Sequence, residues 1–261
     1  MLKEKIKIGN IFPTNKCGMI EILEVNDWKN VKIKFLDTGW ETTVYAGNIL
    51  TKEVRDPTKA LVHGVGYQGV GKHMTSDDKG KMTPAYATWN GMLKRCYKPR
   101  SIYNIINYED VTVCSEWFNF QNFADWYETN LPNVKLVGSR WEIDKDLLIP
   151  RNKVYGPDRC CIIPNAINSL FLFQNKISKL LPLGVRHNGY SYVAYEGHSY
   201  IGSFKTVTEA QLAYWSVKFE AIRSAAIHYW QYLPEPLAWR LLTFDWADAH
   251  AYYGDDAIIR F

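Results

Sequence analysis

Residues 189–215 read GYSYVAYEGHSYIGSFKTVTEAQLAYW, and the period of this stretch changes once, at Thr206. Before it, with LGVRH at 183–187, three short strands follow one another, LGVRH, YSYVAYE and SYIGSF, separated by Asn188-Gly189 and Glu196-Gly197. Both pairs favour tight turns between antiparallel strands. After it, Thr206-Val207-Thr208-Glu209 has the spacing of a capping box, in which the threonine hydroxyl and the glutamate carboxylate satisfy the first helical N–H groups. The helix is predicted to run to about Tyr229, with Ala210, Ala213, Tyr214 and Val217 on its inner face. Strand alternation sends Tyr190 and Tyr192 to one face of the sheet and Tyr195 to the other.

The whole chain has 261 residues, 47% hydrophobic and 22% charged, enough for two or three compact modules. Aromatic residues reach 15%, with ten Trp and seventeen Tyr, so stacking surfaces are available beyond what packing requires. Net charge is +4 and unevenly placed: residues 233–261 hold five acids, Glu235, Asp245, Asp248, Asp255 and Asp256, against Arg240 and Arg260, which leaves residues 1–232 at +7. A basic body suits a polyanion such as nucleic acid, and an ordinary basic protein fits the charge equally well. No window approaches the ~20 apolar residues of a membrane span, which points to a cytoplasmic protein. Five cysteines, Cys17, Cys96, Cys114, Cys160 and Cys161, without a CxxC pair, signal buried thiols ahead of a Cys96, Cys114, Cys160 metal cluster.

Ahead of the opening stretch, residues 1–58 read as short strands, KIGNIF, GMIEILEVN, VKIKFLDTG and ETTVYAGNIL, and suggest a small SH3-like β-barrel. Val31, Ile33 and Phe35 alternate with Lys32 and Lys34, which puts a basic face outward. Residues 59–82, rich in Gly, Lys and Asp, read as a linker or mobile loop, and their glycines lack phosphate-loop spacing. A helix should start at Thr83-Pro84 and carry Tyr86, Trp89, Leu93 and Cys96 on one face, with Lys94, Arg95 and Lys98 at its far end, where they could face phosphate or merely complement the helix dipole. VTVC at 111–114 is a short strand, and Trp117, Phe120, Phe123, Trp126 and Tyr127 form an aromatic stripe that belongs to a core. In 141–175, two apolar stretches, Ile143 to Ile149 and Cys160 to Ile163, flank a polar loop, and a helix follows Pro164, giving the order strand, loop, strand, helix. One more helix is expected around 236–250.

The segment 183–226, with LGV, an Asn-Gly turn, Y-x-Y-x-A, Y-I-G-S-F-K-T and T-E-A-x-x-A-Y, resembles the AP2 DNA-binding domain. The region from Trp89 to Asn168 resembles phage-encoded HNH homing endonuclease-like proteins that end in such a domain. The motifs are W-x-x-M-L-x-R-C-Y, V-C-S-E-W-x-x-F-x-N-F-x-x-W, E-I-D-K-D, N-K-V-Y-G-P-x-x-C and P-x-x-I-N. The resemblance implies an HNH-like ββα domain with aromatic-rich helices at 83–181 and an AP2-like three-stranded sheet packed on a helix at 182–230; with the β-barrel at 1–58, the loop at 59–82 and an acidic extension at 231–261, the expected fold is α+β.

It also implies function. Duplex DNA would meet the sheet at Arg186, Tyr190, Tyr192, Tyr195, His198, Tyr200 and Lys205, with alternation turning some of these inward, and Lys94 and Arg95 could add phosphate contacts. An HNH site uses one divalent cation, here Mg²⁺ or Mn²⁺, with a histidine that activates water. No histidine lies between His73 and His187. Asp144 or Asp146 stands where the base or a metal ligand would be, Asn152 and Asn168 match the loop and helix asparagines, and Asp146 with Asn168 is the candidate ligand pair. An aspartate near pKa ~3.9 is a poor base at neutral pH unless burial raises it. Two readings follow: a metal-dependent DNA endonuclease, or a DNA-binding regulator or inhibitor of a host DNA-processing or defence system, which would add a host protein as partner.

Overall fold

The computed structural model describes residues 5–102, 105, 108–172 and 181–254. The chain is mixed α+β, built from several small sheets and helices, and packs as two compact units, Met1–Thr129 and Asn130–Phe261.

The first unit begins with a four-stranded antiparallel sheet in the order β1 (Ile11–Pro13), β2 (Met19–Asp27), β3 (Asn30–Phe35), β4 (Glu41–Val44), followed by the short helix α1 (Ala46–Leu50). Ile20, Ile22, Val31, Ile33 and Phe35 line its buried face as the alternation requires. The opposite face is charged but not uniformly basic. Lys32 sits across from Glu24 and pairs with Glu41 at 2.9 Å, and Lys34 sits across from Glu21. Cross-strand carboxylates therefore offset the lysines that stand out in the sequence.

Residues 59–82 are folded onto the helices of this unit and are not a free linker. A bridge joins Val62 to Gly66 and another joins Tyr67 to Asn119. A Cβ at Gly66 would come within 2.5 Å of Leu93 and 2.8 Å of Trp89, so the segment needs glycine for close approach. Farther on, the Gln121 side chain accepts from His73 N at 2.9 Å and donates to the carbonyls of His73 and Gln68 at 3.1 and 3.2 Å. The His73 ring lies between Asp125, 2.7 Å from Nε2, and Glu128, 3.1 Å from Nδ1. Helix α2 (Pro84–Tyr97) starts where the sequence places it, with Thr83 accepting from Tyr86 N at 3.3 Å. After the two-residue strand β5 (Thr112–Val113), helix α3 (Phe120–Asn130) brings Phe120 and Phe123 against Trp89 and Trp117. The Trp89 indole N–H donates to the Trp117 carbonyl at 2.6 Å, so the aromatic stripe is core, as its spacing indicates.

The second unit opens with β6 (Trp141–Asp144), then β7 (Val154–Tyr155), β8 (Cys161–Pro164) and α4 (Asn165–Leu170). β6 and β8 are antiparallel, with Ile143 opposite Ile162 and Asp144 opposite Cys161. A three-stranded antiparallel sheet follows in the order β11 (Ser199–Phe204), β10 (Tyr192–Glu196), β9 (Val185–His187), backed by the 23-residue helix α5 (Val207–Tyr229). The Thr206 and Glu209 capping box is formed. The buried face of α5 differs from the predicted one. Val217 is 40% exposed, and Gln211, Trp215, Lys218 and Ile222 go inside with Ala210 and Tyr214. The helix buries a wider stripe because it joins a core shared by the sheet, β8, α4 and the C-terminal helices.

Those C-terminal helices number two where the sequence suggested one. α6 (Glu235–Leu242) and α7 (Trp246–Tyr253) are separated at Asp245, whose carboxylate accepts from Ala247 N and Asp248 N at 2.8 and 3.2 Å and restarts the helix. Leu237, Leu241, Phe244, Tyr252 and Tyr253 are core residues. Asp255, Asp256 and Arg260 of the acidic extension lie outside the described residues. No helix among the described residues is long and apolar enough to cross a membrane.

Candidate nucleic-acid interface

The face that each residue of the three-stranded sheet takes follows from register. Tyr192 is opposite His187 and Phe204, Val193 opposite Arg186 and Ser203, and Ala194 opposite Val185 and Gly202. Ala194 and Val185 belong to the core, and Tyr192 and Phe204 pack against it, so these two rows point toward α5. The row of Arg186, Val193 and Ser203 points the other way. The register shifts between Ala194 and Tyr195, and Tyr195 then pairs with Tyr200 on the outward face.

On that face the Arg186 guanidinium lies 5.0 Å from the Tyr195 ring centroid, and Tyr195 meets Tyr200 edge-on at 5.8 Å. The Tyr200 hydroxyl donates to Ser203 Oγ at 3.2 Å. Arg186, Ser203 and Tyr200 are exposed, Tyr200 by 61%. The result is a cation held on a polar aromatic row, a surface that can stack on or hydrogen bond to a planar or anionic ligand.

The remaining expected DNA contacts divide. Tyr192 is directed inward and stacks obliquely with His187 at 4.9 Å, so it supports the sheet. Tyr190 is not on a strand beside Tyr192. It sits in the 188–191 turn, where Asn188 Oδ1 accepts from its backbone N–H at 3.0 Å, and its side chain is 97% exposed. His198 is exposed at the tip of the β10–β11 turn, and Lys205 is exposed at the end of β11. Lys94 and Arg95 belong to the first unit. Lys94 is exposed, and the Arg95 guanidinium lies 5.4 Å from the Tyr108 ring.

The strand, loop, strand, helix element has the expected order, and all four of its expected site residues are engaged in holding it. Asp144 Oδ1 accepts from the N–H groups of Asp146 and Leu147 at 2.8 and 2.6 Å. Burial, and next the nearby Asp146 carboxylate, push the Asp144 carboxyl up to about 6. Asn152 donates to the carbonyls of Lys145 and Val154 at 2.9 and 2.7 Å and accepts from Val154 N at 3.0 Å, closing the loop. Asp146 pairs with the largely buried Lys145 at 2.6 Å. Asn168 donates to Glu142 Oε2 at 2.7 Å. Asp146 and Asn168 thus take separate partners and do not form a ligand pair by any contact among the described residues. Nor do the described residues contain a group of three His, Cys, Asp or Glu side chains that could hold a metal ion. Of the cysteines, Cys17, Cys160 and Cys161 are buried, and Cys96 and Cys114 are half-buried.

Two features of this element were not read from the sequence. Glu142 shares a β6 face with Asp144. Burial pushes its carboxyl up, but hydrogen bonds from Asn165, Asn168 and Arg140 outweigh that and hold it below the usual carboxylate range. The i, i+2 spacing of the two acids was the available signal. Arg240 and Tyr252 reach back to the loop: Arg240 Nη1 donates to the carbonyls of Leu147 and Leu148 at 3.3 Å each, and the Tyr252 hydroxyl donates to Leu147 O at 2.7 Å. These partners are about a hundred residues downstream, where no local pattern reveals them.

No family model, no curated protein and no solved structure matches this chain.

Proposed function

We propose that the second unit binds double-stranded DNA through the outward face of its three-stranded sheet, in the manner the AP2 likeness implies. The observation that carries this reading is the outward row of Arg186, Tyr200 and Ser203, all exposed, with the half-buried Tyr195 between the cation and Tyr200, opposite the helix-packed face. A guanidinium there can take a guanine edge or a phosphate in bidentate fashion, and the tyrosine hydroxyls supply further donors. The test is titration of duplex DNA with the full chain across a range of salt. Binding should weaken steeply as salt rises, since lysines and arginines displace counterions from phosphate. A flat salt response, or no binding, removes the proposal.

For the HNH-like element, the reading best supported is a scaffold that keeps the ββα form without the cleavage chemistry. Asp144, Asp146, Asn152 and Asn168 each hold a neighbouring strand, loop or side chain. The protein then acts as a DNA-binding regulator or as an inhibitor of a host DNA-processing system. Incubating supercoiled plasmid with the protein and Mg²⁺ or Mn²⁺ decides between this and a nuclease. Intact plasmid is expected, and metal-dependent nicking that disappears in Asp146→Ala would reverse the reading. The N-terminal sheet, in this proposal an SH3-like barrel, serves as an adaptor and not as a polyanion surface, because Glu21, Glu24 and Glu41 neighbour its outward lysines.

A further inference from the structure

A cavity of about 650 Å³ lies in the second unit at the β9 edge of the sheet, and Arg186 and Tyr195 of the proposed DNA face form part of its wall. Leu170 and Leu183 supply an apolar side, and Glu196, Tyr214 and Lys218 a polar one. The Lys218 side chain is only 7% exposed, and its ammonium lies 2.7 Å from Glu196 Oε1. The Tyr214 side chain lines the same stretch of wall. An ammonium carries three N–H donors, and Glu196 is the one partner of Lys218 among the described residues. A buried cation with donors to spare on a cavity wall calls for an acceptor from whatever fills the space. The helix keeps this group in place: Gly184, at φ +76°, lets the chain pass where a Cβ would come within 2.1 Å of the Tyr214 ring.

The geometry points to an extrahelical nucleobase as the occupant, an inference that rests on the DNA reading above. Every base presents an acceptor next to a donor on its Watson–Crick edge, and Lys218 beside Glu196 offers the complementary donor and acceptor. That edge is available only when the base is unpaired, so the site selects flipped or bulged nucleotides without choosing among the four. The leucine side packs against the base plane, the size is within the range of small-ligand cavities, and Arg186 at the junction with the sheet face takes the adjoining phosphate. Extruding a paired base costs a few kcal/mol of stacking and pairing, which a base already bulged does not require.

The experiment compares the full chain's affinity for a fully paired duplex and for the same duplex with one central single-base bulge, at one salt concentration. The bulged duplex is expected to bind about tenfold or more tightly, and a 2-aminopurine at the bulge should change its fluorescence on binding. Lys218→Met, which keeps the packed stem but removes the donors, and Leu172→Trp, which narrows the cavity from an exposed position, should each abolish the preference and leave paired-duplex affinity unchanged. Equal affinity for the two duplexes overturns the cavity proposal and leaves the DNA reading standing. A preference that survives in both variants overturns it as well, since the bulge would then be read elsewhere. Failure to bind either duplex overturns both.

Discussion

The Arg186 guanidinium lies 5.0 Å from the centre of the Tyr195 ring, on the face of the sheet turned away from α5, while Tyr192, three residues before Tyr195, packs toward the core. A one-residue register shift after Ala194 accompanies this arrangement and leaves Tyr195 opposite Tyr200. The two tyrosines are therefore expected to fail differently when truncated. Tyr195→Ala and Arg186→Ala should each weaken duplex DNA binding roughly tenfold, with Arg186→Ala also lowering the salt slope. Tyr192→Ala should instead lower the unfolding free energy by about 2 kcal/mol, the cost of a cavity beside the core. Anisotropy titrations and urea melts of the three variants check this. A Tyr192→Ala protein of full stability and lost binding would contradict the assignment of faces.

Asp144 predicts how stability depends on pH. Its carboxyl is raised to about 6 in the folded chain, above its ordinary value of 3.8. The folded state therefore holds a proton that the unfolded state releases between those values, so this group's contribution is present at low pH and lost as pH rises through about 6. Asp144→Asn keeps the acceptor for Asp146 N and Leu147 N without the buried charge. At pH 7.5 it should match or exceed the parent by on the order of 1 kcal/mol, less than the full shift implies because Asp144 keeps part of its surface in water. The parent's advantage at lower pH should shrink that difference. Urea unfolding of both proteins across pH 4.5 to 8, with α/β content followed by circular dichroism, reads it out.

Gln121 fastens residues 68–73 to α3 through three backbone groups. Gln121→Ala should leave those groups without partners and cost about 1–3 kcal/mol. The effect should appear first as faster tryptic cleavage at Lys72, with the C-terminal unit's melt unchanged. Equal cleavage rates in the two proteins would mean that the His73 contacts to Asp125 and Glu128 suffice to hold the segment.

The two capping boxes offer a comparison within one unit. Thr206→Ala and Asp245→Ala each remove the acceptor at a helix start and should each cost about 1 kcal/mol. The two caps serve different helices and share no hydrogen bond, so the double variant should lose close to the sum. Chemical denaturation of the single and double variants measures it.

Local chemistry made much of this chain legible. Thr83-Pro84, Thr206 to Glu209 and the glycines of the 184–197 turns specify their own backbone, and the order strand, loop, strand, helix at 141–170 follows from alternating apolar runs and Pro164. The candidate site was legible as composition: the residue types for a DNA-facing sheet and for an HNH-like element stand at readable spacings. Their roles were not, because a role depends on partners distant in the chain. Alternation already separates Tyr195 from Tyr192, but only packing showed that the Tyr195 side is the one turned away from the helix, and a one-residue register shift on β11 set Tyr200 opposite it. Packing from two sides drew Lys218 and Gln211 into the core beside a helix stripe that periodicity drew narrower. The Gly-rich segment 59–82 has no hydrophobic period, yet close approach to Trp89 and the side chain of Gln121 order it. The sequence by itself determined where strands turn and helices start, since hydrogen bonds within four residues settle those. Only the tertiary structure decided which side chains face outward, because that follows from cross-strand register and from helices that arrive from the far end of the chain.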